Sequence, residues 1–243
     1  DLHIALVGKY TKLDDSYISV IESIKHGGYG NDTTVHIDLV DSEKINEKNV
    51  KEKLAKYDGI IVPGGFGSRG IDGMIETIRY VRENKVPFLG ICLGMQMAVI
   101  EFAKHVLKLK DVNSEEFDAN CENPVIHIME TQKAIKKKGG TMRLGAYPCK
   151  LKEGSYAREI YGAAEISERH RHRFEYNNKY RKALEENGLM VSGTSPDGKL
   201  VEMIEIREHP YFIACQFHPE FKSRPDRPAP LFVNLVKAAL QAK

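Results

Sequence analysis

Residues 87–98 read PFLGICLGMQMA, an apolar run that passes through a glycine-bracketed cysteine into a stretch with helical spacing. Pro87 to Ile91 has the composition of a short buried strand, and Met95 to Val106 keeps its apolar residues at helical intervals. Cys92 then stands on the turn between them, with Gly90 and Gly94 two residues away on either side. The same placement lets a strand bend sharply around the nucleophile of G-x-S-x-G hydrolases. A thiol at the start of a helix feels the positive end of the dipole, which favours the attacking thiolate. The plainer alternative is a small buried thiol, the commonest use of a cysteine.

The residues before this stretch alternate between strand and helix. Ile4 to Gly8 reads as a strand, followed by a helix capped at Asp14 or Asp15, striped by Tyr17, Val20, Ile21 and Ile24, and stopped at Gly27-Gly28. Thr33 to Val40 is a second strand, Val50 to Tyr57 helical, Gly59 to Val62 a third strand, and Ile71 to Arg82 helical. Phe88 to Ile91 is the fourth strand. This alternation predicts a parallel sheet with helices on both faces.

After an irregular stretch from Val106 to Pro124, the segment TQKAIKKKGG (131–140) reads as a mobile basic surface loop. Extended segments follow at Met142 to Leu151, Ala164 to Tyr176 and Leu189 to Thr194. A turn at Ser195 to Gly198 leads into LVEMIEI as a hairpin. Phe212 to Phe217 is a further strand and Pro230 to Ala242 a closing helix. The expected fold class is α/β, a mixed, mainly parallel central sheet flanked by helices with additional antiparallel strands in the second half. With no internal repeat or linker, residues 1–243 are expected to form a single domain.

Composition excludes several functions. The chain has 243 residues, 42% hydrophobic and 29% charged, enough for a substantial core. Lys and Arg total 36 against 34 Asp and Glu, so the net charge of +2 gives no general attraction to nucleic acid or membrane. Cys92, Cys121, Cys149 and Cys215 form no CxxC pair, against a zinc site or disulfide framework, and a reducing cytoplasmic location is expected. No apolar run has the length of a membrane-spanning helix, and no signal peptide is expected at the start of the chain. A start at Asp1 with HIALVG following at once is expected of a domain cut from a longer polypeptide.

A thiol nucleophile needs a base. Of the nine histidines, His218 in QFHPE ends an apolar strand, where functional groups of parallel α/β folds gather. If the chain stays extended through Pro219, Glu220 projects to the same side and holds one imidazole nitrogen while the other faces the thiol. The alternative is an ordinary histidine beside a surface glutamate. VPGGFGSRG (62–70) contains a formal G-x-G-x-x-G, but it does not follow the first strand, as a dinucleotide site requires. Bare glycine amides there suit an oxyanion hole better. His170-x-His172 lacks a cysteine or acidic partner at ligand spacing, so no metal is expected.

GKYTKLDDSYISVIESI, VPGGFGSRGIDGMI, PFLGICLGMQ, NSEEF, GGTMRLG, ERHRHRFEYNN and ACQFHPEF together resemble, in order and over essentially the whole chain, the class I (triad) glutamine amidotransferases, and among them the glutaminase domains of the CTP synthase family. The resemblance implies a flavodoxin-like glutamine amidotransferase fold, with Cys92 as nucleophile, His218 as base and Glu220 as its orienter. It implies an oxyanion hole from Gly65 and Leu93, and L-glutamine held by Gly65, Phe66, Leu93, Gly94, Met95, Gln96, Glu116 and Arg173. Glu116 and Arg173 are the anion and cation that a free amino acid needs. No P-loop occurs in these residues, so ATP, Mg²⁺ and UTP are expected to bind a covalently linked synthase domain outside them. The resemblance also implies GTP as an allosteric activator, a full-length homotetramer, no cofactor in this domain, and a mobile lid over Lys136 to Gly145. Lys136, Lys137, Lys138 and Arg143 would offer charge to a nucleotide or an interface. A γ-glutamyl hydrolase or cysteine peptidase of similar architecture, or an assembly module that retains the fold, are the rival readings.

Overall fold

Near-continuous apolar stretches form the centre of a nine-stranded sheet in the computed structural model, which describes residues 1–9, 16–129 and 142–243. β1 (Leu2–Gly8), β3 (Gly59–Val62), β4 (Phe88–Ile91) and β12 (Phe212–Cys215) lie side by side and parallel, with β2 (Val35–Asp41) parallel to β1 at the edge. Successive residues point into different cores. Ala5, Ile60, Val62 and Phe88 pack with side chains of α3 (Ile71–Asn84) and α4 (Leu93–His105). Ile4, Leu6, Ile61 and Leu89 pack with those of α1 (Ile18–Tyr29) and α7 (Pro230–Ala242). Burial on both faces explains why these strands read as continuous apolar runs, each large side chain contributing about 1.5–3 kcal/mol.

Beyond β12 the sheet continues antiparallel through β11 (Val201–Glu205), β10 (Met190–Thr194), β7 (Arg143–Leu151) and β8 (Glu165–His172). The β10–β11 hairpin closes at the expected turn, where the Gly198 amide donates to the Ser195 carbonyl at 2.8 Å. β5 (Val112–Ser114), in the stretch that reads as irregular, and β6 (Asn123–His127), which begins at its end, form a three-stranded sheet with β9 (Glu175–Tyr176). These strands are too short for a period to register. The extended stretch 164–176 breaks after His172 because the chain leaves the large sheet there and joins the small one. α2 (Val50–Leu54), α5 (Tyr156–Tyr161) and α6 (Arg181–Glu186) are equally brief; sequence reading passed over the last two, although Ser155 caps α5 and Gly162 ends it.

One local expectation changes. The helix caps at Asp14 and Asp15 and the loop 131–140 lie outside the described residues. α1 does not stop at Gly27-Gly28 but runs through both to Tyr29. Close approach, not termination, explains the pair: a Cβ on Gly27 would stand 2.8 Å from the Phe232 carbonyl oxygen of α7. Helix propensity alone favours Gly→Ala by about 1 kcal/mol. Against α7 the sign should reverse, and Gly27→Ala should lower stability by about 1–3 kcal/mol in denaturant unfolding; a raised midpoint would contradict this packing.

Candidate active site

The carboxyl ends of neighbouring parallel strands supply the site. β3 leads into Pro63 to Gly70, β4 into Cys92, and β12 into His218. Cys92 takes φ 52° and ψ −102°, a strained conformation for a residue with a side chain, and it is buried. Its amide donates to the Cys215 carbonyl at 2.7 Å, while its carbonyl accepts from the amides of Met95 at 3.1 Å and Gln96 at 3.2 Å. The flanking glycines permit this by close packing. A Cβ on Gly90 would lie 2.9 Å from Ala214 Cβ, and one on Gly94 would overlap the Val62 carbonyl oxygen.

His218 donates its amide to the Arg169 carbonyl of β8 at 2.8 Å, and its Nδ1 lies 2.7 Å from Glu220 Oε1. The chain between them is not extended, as the sequence reading required. Pro219–Phe221 is a 3₁₀ turn with proline at its first position, and this turn folds Glu220 back under the ring. Among the described residues His218 Nε2 is buried with no hydrogen bond of ordinary geometry, and it faces Cys92. Burial disfavours the imidazolium, but the Cys92 sulfur and the Glu220 carboxylate outweigh this and raise His218 to about 10. The result is a histidine that holds its proton beside the sulfur at neutral pH.

The sulfur has other polar neighbours. The Arg171 carbonyl of β8 is 3.9 Å away, and Gln216 Nε2 is 3.6 Å away. Gln216 Oε1 in turn accepts from Gln96 Nε2 at 3.2 Å, and Gln96 Nε2 also donates to the Phe174 carbonyl at 3.1 Å.

A cavity of about 630 Å³ opens on one side of Cys92 and brings together Gly65, Phe66, Gln96, Glu116 and Arg173 from the predicted glutamine set. Leu93, Gly94 and Met95 are buried and do not line it. Gly94 is packed against Val62, and the Met95 amide is bound to Cys92. What this segment can offer is the Leu93 amide, the first of α4 and without an intrahelical acceptor. Arg173 Nε is buried with no partner among the described residues, an unspent donor beside the cavity. A second cavity of about 290 Å³ lies on the other side of Cys92, lined by His218, Glu220 and Gly64.

Lys9, which sequence reading passed over, holds the glycine loop. Its buried ammonium donates to the carbonyls of Phe66, at 3.2 Å, and Gly67. Glu116 Oε1 accepts from the Gly67 amide at 3.1 Å, so this carboxylate anchors the loop as well as facing the cavity. Burial pulls Lys9 down to about 8, with Glu116 opposing. The available signal was its position, one residue past the carboxyl end of β1.

Arg143 is not a lid cation. It is buried, with Nη2 2.8 Å from Glu202 and Nη1 3.2 Å from Glu175, which also binds His172 Nε2 at 2.7 Å. The alternation of β8 turns His170 and His172 into this interior and leaves Arg169 and Arg171 exposed. Burial holds His170 neutral. Residues 136–141 of the expected lid lie outside the described residues.

The profile of the glutamine amidotransferase class-I family matches residues 12–238. The chain belongs to this family. Within it, the fold matches the glutaminase domain of Trypanosoma brucei CTPS, solved with bound acivicin, at TM-score 0.93 and 36% identity over 99% of this chain and 94% of that one. CTP synthases of Syntrophus aciditrophicus and Fibrobacter succinogenes are 58% and 60% identical over 99% of this chain. The chain spans only 45% and 43% of their lengths. It is thus a glutamine amidotransferase domain of the CTP synthase type.

Because Lys9 touches the loop that carries Gly65 and not the cavity itself, Lys9→Met should act on turnover. We expect kcat for glutamine hydrolysis to fall about 10–100-fold with KM changed less than about threefold. A rise in KM at unchanged kcat would contradict this role.

Proposed function

We propose that this chain releases ammonia from L-glutamine through a thioester on Cys92. We propose further that, in the longer polypeptide, the ammonia aminates UTP to CTP in a linked, ATP- and Mg²⁺-dependent synthase domain. The observation that carries the reading is the divided histidine, with Nδ1 bound to Glu220 and Nε2 left to the strained cysteine. GTP is assigned the role of activator only when that domain is joined.

Glutamine enters the larger cavity with its α-carboxylate on Arg173 and its ammonium on the Glu116 oxygen not bound to Gly67. The Cys92 thiolate attacks the side-chain amide carbon, and the carbonyl electron pair moves to oxygen, where the amides of Gly65 and Leu93 receive it. As the carbonyl re-forms, the C–N bond breaks with its pair on nitrogen, which takes the proton of His218 Nε2 and leaves as ammonia. The thioester sulfur is neutral, so the charge that raised His218 is gone and its affinity for a proton falls. His218 can then accept a proton from water while the oxygen attacks. That proton restores the imidazolium, and collapse re-forms the carbonyl and breaks the C–S bond with its pair on sulfur, releasing glutamate and the thiolate.

Ammonia release from free glutamine tests this directly. Arg173→Ala should raise KM at least about tenfold with a smaller change in kcat, since it removes a charge-assisted contact made in ground and transition states alike. An unchanged KM would remove Arg173 from the site.

The second test is pH. His218 is held near 10 partly by Glu220, so the imidazolium that protonates the leaving nitrogen persists to about that pH and is lost above it. Glu220→Gln removes one upward influence. The alkaline limb of kcat/KM should therefore move to lower pH, with turnover down about 10–100-fold. An unmoved limb would contradict the pairing.

A further inference from the structure

Gln216 is fully buried one residue beyond β12, in contact with the nucleophile and with Gln96 of the glutamine cavity. The direction of its amide follows from a short chain of necessity. The Phe174 main-chain carbonyl can only accept, so Gln96 presents Nε2 to it. The same Nε2 donates to Gln216, which must answer with Oε1 and thereby turns Nε2 toward Cys92 Sγ at 3.6 Å. Flipping Gln216 would set its Nε2 against that of Gln96, donor against donor, and flipping Gln96 would set its oxygen against two acceptors, the Phe174 carbonyl and Gln216 Oε1. We propose that Gln216 is a catalytic residue, its Nε2–H group donating to the Cys92 sulfur and stabilising the thiolate before attack and on its departure from the thioester.

The inference rests on Cys92 being the nucleophile. A thiolate needs such a donor because the Arg171 carbonyl oxygen, 3.9 Å away, can only accept and presents the negative end of its dipole to the sulfur. The titratable and charged groups around it are His218, Glu220 behind His218, the buried thiol of Cys215, and Arg171, His172, Arg173 and Glu116, which line the two cavities with it. His218 gives up its proton during the reaction, whereas Gln216 remains a donor throughout. A second consequence concerns substrate. With Gln96 Nε2 committed to Phe174 and Gln216, its Oε1 is left for the cavity, so Gln96 accepts an N–H of glutamine and donates none.

Carbamidomethylation of Cys92 by iodoacetamide, followed by mass spectrometry from pH 5 to 10, reads the thiolate without turnover. In Gln216→Met and Gln216→Leu, the pH profile should move upward and the rate at pH 6 should fall at least about threefold. Turnover should fall about tenfold with KM within about twofold. An unmoved profile in a folded variant would overturn the proposal. In the unsubstituted chain, the Gln216 side-chain amide resonance should titrate with Cys92; if it does not, the proposal fails even should both variants misfold. Failure of the underlying reading is distinct, because turnover would then survive complete carbamidomethylation of Cys92.

Discussion

The turn at Cys92 is the constraint on which the rest of the site depends. β4 passes into α4 with only Cys92 between them, and the chain can do so only by taking a left-handed conformation at that residue. Such a conformation costs of order 1–3 kcal/mol and persists where the surroundings over-determine it. Here the Cys215 carbonyl fixes the amide, the first turn of α4 fixes the carbonyl, and β3 and β12 press so closely on Gly94 and Gly90 that a Cβ fits at neither. The thiol is thereby presented at the carboxyl edge of the sheet, at the amino end of a helix, between two cavities.

Electrostatics then assigns the roles. The sulfur, His218 and Glu220 form a line in which the central group keeps its proton because charge lies on both sides of it. In the proposed mechanism, acylation of the sulfur would reverse that arrangement, so one imidazole would serve as acid and then as base. β8 frames the line from the far edge of the sheet, holding His218 through the Arg169 carbonyl and approaching Cys92 with the Arg171 carbonyl. Its alternate side chains enter the Arg143, Glu175 and Glu202 network, which ties this strand to β7, β9 and β11. Ion pairs buried to this degree hold a geometry more than they add stability.

Local features were legible in the sequence, and long-range pairings were not. β3 and β4 could be read to the residue because both are continuous apolar runs bounded by turn formers. Cys92, His218 and Glu220 carry short spacings with a mechanical meaning. The 3₁₀ turn at Pro219 was misread as extended because its outcome, a carboxylate beside the ring, is the same for both. Arg143 looked like one more cation of a basic loop because its partners Glu175 and Glu202 are distant in the sequence. Gln216 and Gln96, separated by 120 residues, and Lys9 and Gly67, separated by 58, become partners only when the strands assemble.

The most direct measurement is to incubate the chain with the glutamine analogue 6-diazo-5-oxo-norleucine and locate the adduct by peptide mapping. Glutamine recognition and nucleophilic attack at Cys92 together require one adduct per chain, on Cys92, formed more slowly when glutamine competes and accompanied by loss of ammonia release. An adduct on Cys121, Cys149 or Cys215, or hydrolysis that continues after complete modification of Cys92, would contradict the thioester mechanism.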